Sequence, residues 1–166
     1  YNMLLVGDIG NTETKICLIG LNKKIVKKIK FSSKNMSNVK LKNFFKQLEL
    51  KNFSLEKCLF CSVVPKTFKI IKKHIMNHYK IKCFELKDLK IDKLIKIKVN
   101  KKQIGSDRLA NAIGSMNNKD NFIILDFGTA TTFDVLVKNV YLGGIISPGI
   151  KLSLNTLISN ASLIPD

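Results

Sequence analysis

The chain of 166 residues has 12 acidic residues against 29 basic ones, and only one of the basic residues, Arg108, is an arginine. The resulting formal net charge of +17 is therefore almost all lysine, spread along the whole sequence among much Asn and Ile. That distribution reads as a compositional bias rather than a built patch, so no specific nucleic-acid partner is expected. No apolar run approaches the roughly 18 residues needed to span a bilayer, and no membrane partner is expected. The opening YNMLLVGDIG lacks a basic region and a small-residue cleavage site, so it is not read as a signal peptide. Met3 is a candidate natural start, and a soluble cytoplasmic protein is expected. The four cysteines, Cys17, Cys58, Cys61 and Cys83, lie in strand-like apolar surroundings and read as reduced and buried.

What is present is ample core material, 45% hydrophobic, enough for one ordinary domain or two small ones. One pattern occurs twice. Residues 4–19 (LLVGDIGNTETKICLI) and 122–137 (FIILDFGTATTFDVLV) superimpose at a constant offset of 118, matching Asp8 to Asp126, Gly10 to Gly128 and Thr14 to Thr132. Each copy is an apolar run, an Asp, a polar turn with Gly and Thr, then a second β-prone run: a strand, a sharp turn and a returning strand. Glycine is expected to let the backbone turn, and grouped turn amides make a concavity suited to anions. The duplication predicts two related domains with a phosphate-sized gap between their hairpins.

Along the chain, 24–32 reads as a third strand. Residues 37–50 space Val39, Leu41, Phe44, Phe45, Leu48 and Leu50 as on a helix, with Ser37 as N-cap. The run 58–64 reads as a buried strand, Pro65 opens a helix over 66–79, and 81–86 is a short fifth strand. The order β-β-β-α-β-α-β is that of a ribonuclease-H-like unit. Residues 87–104 alternate Lys with Ile, Leu and Val and read as an extended link. A helix begins at Asp107 with Ser106 as N-cap, followed by the second hairpin, a strand at 140–146, a turn at 147–149 and a helix at 150–160. The division predicted is 1–118 and 119–166, the second domain being incomplete, because 48 residues fall in the register of a first unit that needs about 86.

Three constellations carry possible chemistry. The paired hairpins fit a nucleoside triphosphate, with amides and Thr hydroxyls on the phosphates and Asp8 and Asp126 on charge-balancing cations. Lys15 fits a phosphate as a point charge, or is one more solvated lysine. Gly105-Ser106-Asp107-Arg108 opens a helix: Asp107 can accept a proton from a substrate hydroxyl, or simply face the helix dipole. The sole guanidinium beside it favours a ligand role, since a flat two-pronged donor suits a carboxylate or phosphate. Cys58, Cys61, His74 and His78 have zinc-finger spacing. In an extended strand, however, side chains three apart point to opposite faces, which favours coincidence over zinc.

DIGNTETK (8–15), SVVP (62–65), GSDRLANAIGS (105–115), DFGTATTFD (126–134) and GGIISPGI (143–150) together resemble the type III pantothenate kinases, from Met3 to the last residue. The resemblance implies an α/β protein of the actin-like kinase superfamily that phosphorylates pantothenate with ATP, the first step of coenzyme A synthesis. It implies that Asp8, Ile9, Gly10, Asn11, Thr12, Glu13, Thr14 and Lys15 line ATP together with Thr129. Asp107 would be the catalytic base, and Gly105, Ser106, Asp107 and Arg108 the pantothenate site. Asp126 would hold a monovalent cation (K⁺ or NH₄⁺) and Asp8 would face Mg²⁺. GGIISPG resembles the family's dimer segment, which implies a homodimer. Family members usually carry Tyr and Pro where this chain has Lys98 and Lys101, and the chain stops before the family's adenine-binding segment. The rival expectation is a non-catalytic relative acting as a regulatory or nucleic-acid-binding protein, which a salt-dependent gel shift separates from a kinase.

Overall fold

The computed structural model describes residues 2–50 and 53–160. Tyr1 and the end of the second predicted domain, 161–166, lie outside them. The chain packs as two compact units, Tyr1–Lys90 with Gly105–Asp107, and Ile91–Ile104 with Arg108–Asp166. Division by packing therefore falls elsewhere than at 118/119.

In the first unit, β1 (Asn2–Ile9), β2 (Glu13–Gly20) and β3 (Ile25–Ser32) form an antiparallel meander. β4 (Ser54–Ser62) and β5 (Cys83–Glu85) run parallel to β1, giving the order β3-β2-β1-β4-β5 of a ribonuclease-H-like sheet. The two-residue side-chain period puts Leu5, Ile9, Ile16 and Leu18 on one face. There they are buried with Phe60 against Leu41, Phe45 and Leu48 of α1 (Asn38–Leu48) and Ile71 and Ile75 of α2 (Pro65–Tyr79). The Ser37 side chain caps α1 by accepting from the Lys40 amide at 3.3 Å, as its sequence position predicts. Pro65 occupies the first turn of α2, where its missing N–H costs no helical bond. The alternation leaves Asp8, Lys15 and Cys61 on the opposite sheet face, in register on neighbouring strands.

The stretch 87–104 is not an extended link. It forms 3₁₀ turns at Leu86–Asp88, Ile91–Lys93 and Lys101–Gln103, and a short strand, β6 (Lys96–Ile97), that pairs in parallel with the strand Val140–Pro148. Its lysines are mostly solvated while Ile91, Ile95 and Ile104 are buried, and that irregular spacing suits neither a helix nor a long strand. α3 spans Ser106–Ser115, so Ser106 is the first helical residue rather than the cap.

In the second unit, β7 (Asn121–Phe127), β8 (Ala130–Val137) and β9 (Val140–Pro148) repeat the meander, in the order β6-β9-β8-β7. α4 (Ile150–Asn160) ends the described part. No strand lies outside β7 among the described residues, and Ile123 and Phe127 of β7 and Ile145 of β9 are each more than 60% exposed. No helix among the described residues is long and apolar enough to cross a membrane.

The constant offset between the hairpins breaks at the turn. Asp8 pairs across with Lys15, whereas Asp126 pairs with Thr132, because the second turn is one residue shorter. The partner of Thr132 in the first hairpin is thus Lys15, not Thr14. Neither turn glycine has a left-handed φ: Gly143 alone among the glycines does. Gly10 instead provides room, since a Cβ there would sit 3.1 Å from the Glu13 carbonyl.

Candidate active site

The first hairpin separates its predicted ligand residues by strand face. Gly10 N–H donates to the Glu13 carbonyl at 3.0 Å, closing a tip where Asn11 and Thr12 are exposed. Lys15 is exposed and lies 3.8 Å from Glu13. Ile9 and Thr14 point the other way. Both have no exposed surface, and the Thr14 hydroxyl is paired with Ser33 at 2.8 Å. A ligand at this hairpin would meet the tip amides and the Asp8–Lys15 face, not those two side chains.

Beside Asp8, the Cys61 thiol donates to its Oδ1 at 3.5 Å and to the Gly7 carbonyl at 3.7 Å. Burial first, and then the Asp8, Asp107 and Glu85 carboxylates, push the Cys61 thiol well above its ordinary pKa. Cys58 faces the other way, its sulfur 3.4 Å from that of Cys83. The cysteine spacing singled out in the sequence therefore does not bring its sulfurs together. His74 stacks on His78 and meets the Phe45 ring at a tilt of 55°.

Asp107 belongs to the same unit as Asp8. Its carboxylate folds back over Gly105, where a Cβ would sit 2.3 Å from Asp107 Oδ1 and 3.6 Å from Val63. Glycine at 105 thus makes room for that carboxylate. Ser106 is buried, and its hydroxyl donates to Glu85, which the sequence reading missed; the only hint of it is a lone acid closing the apolar strand KCFEL. A carboxylate set in the first turn of a helix, beside a glycine, can take a proton from a bound hydroxyl.

In the second unit Arg108 is held rather than offered. Its Nε donates to Asp134 Oδ1 and Oδ2 at 3.0 and 3.1 Å, and Nη2 donates to Oδ1 at 2.6 Å. The Tyr141 hydroxyl also donates to Asp134 Oδ1, and all three residues are buried. Gly144 admits this cluster, because a Cβ there would sit 2.0 Å from the Phe133 carbonyl and 2.7 Å from Arg108 Nη2. Lys98, at the family's Tyr position, has its amide on the Tyr141 carbonyl at 3.0 Å, and Lys101, at the Pro position, has its ammonium 3.8 Å from Asp92. Sequence reasoning missed Asp134 and Tyr141. An acid within the run TFDVLV was the available signal, since a buried carboxylate needs a partner and the chain has one guanidinium.

One turn along α3, Asn111 Nδ2 donates to Asp126 Oδ2 at 3.1 Å. Thr132, opposite Asp126 on the same face, carries a buried hydroxyl without a hydrogen-bond partner. A carboxylate and an orphaned hydroxyl are hard oxygen donors of the kind alkali cations take. Thr129 is exposed in the second turn, and its carbonyl accepts from Gly149 N–H at 3.2 Å. Among the described residues no three His, Cys, Asp or Glu side chains converge as a protein-only metal centre.

Two meanders of this order, each with an Asp one residue before its first strand ends at a polar turn, define the actin-like, ribonuclease-H-like class. Within that class the family model for type III pantothenate kinase matches residues 4–166, and the chain belongs to that family. A type III pantothenate kinase of Pelagibacter ubique is 63% identical over 163 residues, 98% of this chain and 66% of the relative. One of Desulforapulum autotrophicum is 32% identical over 170 residues, 98% of this chain and 65% of the relative. The chain thus spans just under two thirds of the length of these relatives. Among solved structures, a Campylobacter jejuni protein classed in the Baf family of transcriptional activators superimposes with a TM-score of 0.54 at 18% identity. That match covers 98% of this chain and 63% of that one, and shows the shared fold.

Proposed function

We propose that the protein phosphorylates pantothenate with ATP, opening coenzyme A synthesis. The observation that carries this reading is the family match over residues 4–166. The placement of Asp107 supports it, with a carboxylate at a helix start over a glycine that leaves it room. Asp107 takes the proton of the pantothenate hydroxyl as that oxygen attacks the γ-phosphorus of ATP, and ADP leaves. Phosphoryl transfer asks little covalent chemistry of the protein, so positioning and charge balance supply most of the catalysis.

Gly105 and Ser106 shape the pantothenate site with Asp107. The tip amides from Gly10 to Glu13, with Asp8 and Lys15, bind the phosphates of ATP. Ile9 and Thr14 support that turn from the core. Asp126 with Thr132 fits K⁺ or NH₄⁺, for which a carboxylate and a hydroxyl are suitable oxygen donors. Asp8 offers oxygen to Mg²⁺, an ion that commonly keeps waters and substrate phosphates as its other ligands. The active form is a homodimer in the cytoplasm, with the GGIISPG segment, from β9 to Gly149, at its interface.

The test is ATP-dependent phosphorylation of pantothenate, with and without K⁺. It should be run on this chain and on the chain extended by the part of the Pelagibacter ubique relative that it does not cover. Potassium-dependent turnover in either form is expected, and Asp107→Asn should lower kcat by about 10²–10⁴-fold, the usual worth of a general base. Undiminished turnover in Asp107→Asn would remove the base assignment. Silence of both parent forms would remove the kinase reading.

A further inference from the structure

Glu85 ends β5 and receives three donors. Ser62 N–H donates to Oε1 at 3.4 Å, the Ser106 hydroxyl donates to the same oxygen, and Lys87 N–H donates to Oε2 at 2.7 Å. An ionised carboxylate only accepts, so three donors on two oxygens match its chemistry fully. Glutamine has one acceptor oxygen and would turn an N–H₂ toward at least one of these donors. The three donors come from the end of β4, the turn after β5 and the first residue of α3. All lie in one compact unit with Asp8 and Asp107. Ser106 has 1% of its surface exposed, so water does not readily replace Glu85 there.

The end of β4 is tied in turn to the first hairpin, since Val63 N–H donates to the Ile9 carbonyl at 3.0 Å. Val63 also lines the space above Gly105 into which the Asp107 carboxylate folds. The carboxylate of Glu85 is therefore the joint that sets the start of α3 against the strand ends beside Asp8. We propose that Glu85 is a positioning residue. Acting through the Ser106 hydroxyl, it holds the Gly105–Asp107 segment so that Asp107 meets the substrate hydroxyl; this rests on the kinase reading above. Glu85 itself touches no reacting atom. Removing it would let the first turn of α3 shift while leaving the hairpin and its nucleotide contacts in place.

The experiment compares Glu85→Gln, Ser106→Ala and the double variant by two readouts. The first is backbone amide exchange at residues 105–109 in the chain itself. The second is steady-state kinetics in whichever form of the protein turns over. Each single variant should exchange faster at 105–109 and lose kcat by on the order of ten- to a hundredfold, a loss typical of a slightly misplaced catalytic group. The KM for ATP should stay within about twofold of the parent, because the hairpin is untouched. The double variant should be no worse than the poorer single one, the mark of two residues acting through one contact. Additive losses, or a kcat in Glu85→Gln close to the parent's, would overturn the proposal. If the parent does not phosphorylate pantothenate, the kinase reading has failed, and exchange alone decides. Faster exchange in both variants then supports the latch on the helix start, and unchanged exchange overturns it.

Discussion

Arg108 and Asp134, 26 residues apart, form a buried two-pronged ion pair inside the second unit, with the Tyr141 hydroxyl on the same carboxylate. The chain's one arginine thus orders its own unit by spending Nε and Nη2 on a carboxylate. A lysine has no planar fork with which to reproduce that geometry.

Breaking this pair from either side leaves a charge buried without its partner. Asp134→Ala should lower the stability of the second unit by about 3–5 kcal/mol. Arg108→Lys should keep the charge but lose the fork, and should cost less than Asp134→Ala. Chemical denaturation followed by circular dichroism measures both. An unchanged midpoint in Asp134→Ala would show that the pair is not holding the unit together.

Gly144 should be intolerant of alanine for a steric reason. The added methyl would lie 2.0 Å from the Phe133 carbonyl, which is backbone and cannot swing away. Gly144→Ala should destabilise by about 1–3 kcal/mol, the usual cost of overpacking. Gly114 is the control, since a methyl added there would meet nothing within 4 Å. Gly114→Ala should be neutral or slightly stabilising.

Cys61 should react slowly with iodoacetamide near pH 8 in the folded chain. Burial, and next the Asp8 carboxylate, keep its thiol protonated there. Asp8→Asn removes the second cause and should speed alkylation of Cys61, while burial keeps the rate below that of an unfolded control. The sign of the linked stability follows. Because the folded pKa is raised, the contribution is complete below the unfolded value of about 8.5 and is lost as pH rises above it. Mass spectrometry of the alkylated peptide reads the rate, and equal rates in parent and Asp8→Asn would contradict the contact.

His74 should weaken the fold in acid. Burial, and then the neighbouring His78, hold its pKa below the ordinary value. A depressed folded pKa contributes stability above about 6.5 that is lost as pH falls through the folded value. His74→Phe keeps a ring against Phe45 and should flatten the fall in stability between about pH 7.5 and 5.5, the range around the ordinary histidine value. Urea midpoints at the two pH values test this, and an equally steep fall in the variant would place the loss elsewhere.

Much of this was legible from local pattern. The repeated Asp-turn hairpins, the capped helix after Ser37 and the helix opened by Pro65 each depend on neighbouring residues and a fixed period, and each lies where its period places it. The stretch 87–104 was not legible, since single buried isoleucines among lysines have no period to read. The turn lengths were hidden as well. One residue fewer in the second turn moves the partner of Asp126 from the matched position, Phe133, back to Thr132, and a one-residue slip reverses which face a side chain occupies.

The sequence by itself determined the family, the two meanders and the residue types available for chemistry, because these rest on local order along the chain. Tertiary structure alone decided which of those residues meet. Strand register brought Asp134 to Arg108, the close of β5 brought Glu85 to Ser106, and side-chain alternation turned Thr14 into the core while leaving Lys15 exposed. Contacts between residues far apart in the chain follow from sheet pairing and face, and neither is written in the identity of any single residue.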